Sequence, residues 1–81
     1  MSPDRIRNHL RREPFLPIRI YMSDGSSYEV RHPEMAVVTR RDVFIALPPL
    51  QGDMPERAVF CDPLHVTRIE PIDGGEPLPE P

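Results

Sequence analysis

Eighty-one residues bound the protein to one small domain, and a chain of that length buries only about 60% of the surface its unfolded form exposes. Its single cysteine, Cys61, excludes an internal disulfide as a staple for so thin a core, which points to an oligomeric interface instead. The net charge of −3 is unevenly spread: residues 1–41 carry eight Arg against five Asp/Glu, residues 42–81 carry two Arg against eight, and there is no lysine.

Arginine suits planar, bidentate contacts to carboxylate or phosphate better than lysine does, although genome composition is the plainer source of an all-arginine chain. One unpaired thiol fits a reducing, cytoplasmic setting. The N-terminus MSPDRIRNHL carries no signal pattern, and no apolar run approaches the roughly 20 residues of a spanning helix. No membrane partner is expected.

Residues 2–12 read as a short helix, within an N-terminal docking segment at 1–13. Ser2 supplies a cap, Pro3 suits the first helical position and Asp4 complements the dipole. Ile6 and Leu10 fall on one face, Arg5, Arg7, Arg11 and Arg12 surround the rest, and Pro14 ends the run. So short a helix is marginal alone and must dock on a sheet.

At 15-FLPIRIYM-22 the period changes to two, with Leu16, Ile18, Ile20 and Met22 on one face and Phe15, Pro17, Arg19 and Tyr21 on the other. A turn at SDGS leads into 27-SYEVR-31. A two-residue Asp-Gly turn would place Ile20 opposite Glu29. A three-residue loop, Ser23-Asp24-Gly25 with Gly25 left-handed, instead pairs Ile20 with Tyr28, Ile18 with Val30 and Arg19 with Glu29. The longer loop keeps apolar residues on one face, so it is the predicted hairpin.

The stretch 30-VRHPEM-35 then interrupts the strands. Pro33 pushes His32 to extended geometry and cannot donate to a ladder, so 32-HPE-34 is predicted to be a corner. Two apolar runs follow, 36-AVVTR-40 and 43-VFIAL-47, joined around Arg41-Asp42 and closed by Pro48 and Pro49. Residues 50–56 read as a polar loop, 57–62 as a strand, 63-PLH-65 as a tight connector and 66–70 as the last strand. Beyond Ile72, the acidic, proline-rich residues 73–81 lack the apolar content to order themselves. The prediction is a mainly β domain over 14–72: a small antiparallel barrel or rolled sheet of five to six strands, with one N-terminal helix.

That order resembles the SH3-like small barrels, and among them the Sm-like proteins, through the 20-IYMSDGSSYEV-30 hairpin and the 63-PLHVTRIEP-71 connector and strand. The resemblance covers about residues 3–72 and implies a closed barrel with nucleic-acid binding. The nucleotide-reading Asp-x-x-x-Asn loop of Sm-like chains has no counterpart in 31-RHPEMAVV-38. REPFLPIRI, DGSSYEVRHPEM and LHVTRIEP together resemble a group of short bacterial proteins of uncharacterised function, a likeness that implies no activity.

Candidate chemistry is sparse. His32, Glu34, Cys61 and His65 offer ligand types suited to zinc, but none lies in a tight ligand spacing, and no metal or other cofactor is expected. Ser23, Ser26 and Ser27 have no histidine beside them in sequence, and Cys61 ends an apolar strand, where an inert thiol is usual. Nucleophilic catalysis is therefore not expected. Arg5, Arg7, Arg11, Arg12, Arg31, Arg40 and Arg41 are the candidate contacts for a partner or for nucleic acid. Tyr28 and Phe44 or Phe60 are assigned to the core, and Phe15, Pro17 and Tyr21 to an exposed interface. The expected function is a non-enzymatic, self-associating binding or assembly module with a homo-oligomer or other protein as partner. The alternative is an Sm-like module that binds RNA or DNA through its N-terminal arginines.

Overall fold

Proline placement and alternation set most of the element boundaries in the computed structural model, which describes residues 1–51 and 54–72. Helix α1 spans Pro3–Arg11, with the Ser2 hydroxyl accepting the Arg5 N–H at 3.2 Å. Ile6 and Leu10 are its buried residues, and they join the core while the helix packs against the second sheet.

Strand β1, Ile18–Met22, begins three residues later than the alternation implies. Pro17 has no N–H to contribute, so residues 15–17 lead into the ladder without joining it. β2 covers Ser27–Val30 and pairs as the apolar register requires: Ile18 with Val30, Arg19 with Glu29, Ile20 with Tyr28. Gly25 closes the loop at φ +92°, donating its N–H to the Met22 carbonyl at 3.1 Å, while Met22 N–H reaches Ser26 O at 2.9 Å. This is the three-residue loop with a left-handed glycine.

The corner at His32-Pro33-Glu34 is a single 3₁₀ turn, Pro33–Met35, entered through extended His32 and plugged by buried Met35. It separates β2 from β3, Ala36–Val38. Thr39 N–H donates to Asp42 O at 2.9 Å and turns the chain into β4, Val43–Gln51. β5 follows at Met54–Cys61, then a second 3₁₀ turn at Pro63–His65 and β6 at Val66–Pro71.

Two expectations change here. Pro48 and Pro49 do not end β4, and most of 50–56 is strand instead of polar loop. The register slips between Leu47, opposite Arg57, and Leu50, opposite Pro55. Two prolines therefore face Glu56 alone, and a β-bulge absorbs them where a regular ladder would have needed their missing donors. Nor do the strands close. The fold is six strands in two antiparallel sheets, ordered β2-β1-β6 and β3-β4-β5, with no closed barrel among the described residues. A 3₁₀ turn stands at each of the two crossings between the sheets, Pro33–Met35 between β2 and β3 and Pro63–His65 between β5 and β6.

Ile18, Ile20, Val30 and Val66 from the first sheet meet Val43 and Ile45 from the second, and Ile6 and Leu10 cap the joint. Ile72 is buried, with its N–H on Pro17 O at 3.2 Å. The expected tail at 73–81 lies outside the described residues. Among those described, no helix is long and apolar enough to cross a membrane.

Candidate functional site

Antiparallel pairing of β1 with β6 sets Met22 opposite Val66, so residues 23 and 65 become neighbours at the end of the first sheet. Ser23 N–H donates to His65 O at 2.8 Å, and Ser23 Oγ lies 3.1 Å from His65 Nδ1. These two residues border a cleft of about 500 Å³ between the β1–β2 hairpin and β5, walled also by Asp24, Tyr28, Phe60 and Cys61. A serine and a histidine that sequence proximity kept apart are thus brought into contact. Only the non-local β1–β6 register could have revealed them, and nothing in the sequence fixes that register.

The groups around the cleft are already engaged. Asp24 Oδ1 accepts from Ser26 N–H at 2.9 Å and Ser26 Oγ–H at 2.6 Å, and these bonds hold its carboxyl below the usual range. Asp62 Oδ1 accepts the Leu64 N–H at 2.9 Å and caps the second 3₁₀ turn. Burial, and then the charge of Asp24, pushes the Cys61 thiol up. A raised thiol stays protonated and is a poor nucleophile.

The four candidate ligand residues noted in the sequence do not converge. His32 and Glu34 sit at the corner turn while Cys61 and His65 line the cleft. Among the described residues, no three His, Cys, Asp or Glu side chains form a group that could hold a metal.

Five of the seven candidate arginines fall in three places. Arg31 pairs with Glu29 at 3.1 Å, and Glu29 also receives Arg19 across the hairpin, which holds the Glu29 carboxyl low. Arg7, 3.9 Å from Asp4, shares an open groove of about 610 Å³ with Arg40 and Thr39 of the β3–β4 turn. On another side of α1, partial burial and then the charges of Arg5 and Arg12 keep His9 below its ordinary range. Arg5, Arg11, Arg12, Arg40 and Arg41 make no ion pair among the described residues.

The three residues expected to form an exposed apolar stripe take different places. Phe15 packs against the core instead of lying open, and Pro17 is half-buried. Tyr21 carries Arg68 over its ring at 4.0 Å and donates its hydroxyl to Glu70 at 3.3 Å, so it belongs to a polar outer face. Phe44 and Phe60 are not core. They point away from it and stack with centroids 4.2 Å apart. Val37 is opposite Phe44, and Phe44 opposite Phe60, so one apolar row crosses all three strands of the second sheet. Val37 is 54% and Phe60 67% exposed. The run 43-VFIAL-47 hid this, because apolar residues on both faces leave no alternation to read.

No protein-family model matches the chain, and no curated protein or solved structure does either.

Proposed function

We propose that the protein is a non-enzymatic binding and assembly module whose partner is a further copy of itself, and that the contact is the outer face of β3-β4-β5. One observation carries this: the Val37–Phe44–Phe60 row exposes stacked aromatic surface on a domain with a thin core. Aromatic residues at the centre of a patch supply most of the energy of a typical interface. Ala58 and Met54, two and six residues before Phe60 and exposed like it, extend the strip along β5. Among the described residues β5 and β6 are edge strands, and an edge offers backbone groups on which another chain can pair.

The test is a light-scattering mass at high concentration, compared with the 9.3 kDa of one chain. At least two chains are expected for the native protein, with a fall toward one for Phe60→Glu. A clean monomer for the native protein ends the proposal.

A second reading rests on the groove between α1 and the β3–β4 turn. Arg7 and Arg40 line it, and Arg41 follows in the same turn. Such a groove can track a phosphate backbone, and binding of that kind appears in low salt and weakens steeply as salt rises. Absence of any gel shift with single- or double-stranded nucleic acid at low salt removes this reading.

A further inference from the structure

The cleft between the β1–β2 hairpin and β5 has a chemistry that self-association on the second sheet leaves unused. Its volume of about 500 Å³ falls within the roughly 300–1,000 Å³ of small-molecule sites. Met22, Tyr28 and Val59 give it apolar and aromatic walls, and Ser23, Asp24 and His65 bring polar groups to the same hollow. Apolar walls around a few convergent polar groups are the usual make-up of a ligand site.

The sign of its charge selects the ligand. Ten residues of the chain are arginine, yet none lines this cleft, whereas two carboxylates, Asp24 and Asp62, do. Asp24 Oδ1 takes both hydrogen bonds from Ser26, N–H at 2.9 Å and Oγ–H at 2.6 Å, and Oδ2 accepts from no other described residue. Those bonds hold the Asp24 carboxyl low, so it is ionised at neutral pH, and its charge is felt by Cys61 on the opposite wall. His65 Nδ1 meets Ser23 Oγ at 3.1 Å, while Nε2 bonds to no described residue. When Ser23 Oγ accepts from Nδ1–H, the imidazole leaves Nε2 as an acceptor for a ligand N–H.

A fixed carboxylate, a ring acceptor and the Tyr28 ring together suit a cation that carries N–H donors, because an aromatic face attracts positive charge. The same carboxylates disfavour an anion. Among the described residues no three-ligand group exists for a bare metal ion. We infer that this cleft is a binding site for a small organic cation, an ammonium or guanidinium head on a short apolar stem, with the head on Asp24 and the stem along Tyr28 and Val59. Ser23, Asp24 and His65 belong to the hairpin and the connector, not to β3-β4-β5, so the site stands whether or not that face self-associates.

The experiment is an amide-shift titration of the isotope-labelled full chain at about pH 7.5, above the ordinary histidine range. The probes are n-butylguanidinium and its neutral counterpart n-butylurea. The cation should give saturable shifts at Ser23, Asp24, Ser26, Cys61 and His65, with half-saturation on the order of millimolar, a strength that so few atoms can reach. The urea should give none. Asp24→Asn should weaken binding roughly tenfold or more, as loss of a charged hydrogen-bond partner does, and Asp4→Asn, on the helix, should leave it unchanged. Asparagine keeps an oxygen for Ser26, so the turn survives, which unchanged Met22 and Gly25 amides verify. Equal shifts from the urea overturn the inference on the native chain alone. So do shifts that never saturate, or binding that Asp24→Asn leaves intact.

Discussion

Glu29, Asp24, His9 and Cys61 each give the stability of this small fold a dependence on pH whose sign follows from the surroundings of the side chain. The Arg19 hydrogen bond holds Glu29 low, and Ser26 holds Asp24 low. Each therefore contributes stability that is present above the ordinary carboxylate range and lost as pH falls through its folded value. Partial burial, with Arg5 and Arg12 nearby, keeps His9 low as well. The unfolded chain takes up that proton more readily, so stability begins to fall as pH drops through the ordinary histidine range. Cys61 has the opposite sign. Its raised thiol keeps its proton when folded, and stability falls as pH rises through the ordinary thiol range. Urea midpoints should trace a dome against pH, with Asp24→Asn and Glu29→Gln flattening the acid limb and Cys61→Ala the alkaline one. An acid limb unchanged in Glu29→Gln would mean the Arg19 contact is not made in solution. The Arg19–Glu29 contact was legible beforehand, because it follows from the hairpin register; the Ser23–His65 contact was not, because it joins residues 42 positions apart.

Among the elements, α1 and the first hairpin were the most readable. The helix carries its own cap and two apolar residues four apart, and the hairpin admits only one loop length that keeps Ile18, Ile20, Tyr28 and Val30 on one side. Both are decided by neighbours in sequence. The β4–β5 ribbon was misread because its prolines signal termination locally, whereas the partner strand tolerates them through a bulge that only pairing reveals. Helix α1 is also where a core substitution has its clearest outcome. Ile6 is fully buried at the joint between the sheets, so Ile6→Ala should cost ~2–5 kcal/mol of unfolding free energy. Ser2→Ala removes only a cap and should cost ~1 kcal/mol. Denaturant midpoints rank the two, and a near-zero effect of Ile6→Ala would show that the helix does not dock as described.

At the scale of the whole molecule, the first strand is held by the last. β1 is the central strand of its sheet, between β2 and β6, and the N-terminal nitrogen of Met1 donates to Pro63 O at 2.9 Å and Val66 O at 3.2 Å. Without β6, β1 would be left with β2 as its single strand partner, and Met1 without both of its carbonyl acceptors. A chain stopped at Asp62 should lose the dispersed amide resonances of the complete one; retained dispersion would mean that α1 and the second sheet fold without β6. The doubled proline in β4 bears on the molecule's dealings with its neighbours. Among the described residues, β3 covers β4 only from Val43 to Ile45, so beyond that point the ribbon runs on with no described strand on one flank. A bare flank invites stray strands to stack on it without limit. Pro48 and Pro49 have no amide hydrogen to offer such visitors, and their bulge skews the backbone away from the flat geometry that stacking needs. The ribbon thus resists open-ended sheet growth along that flank.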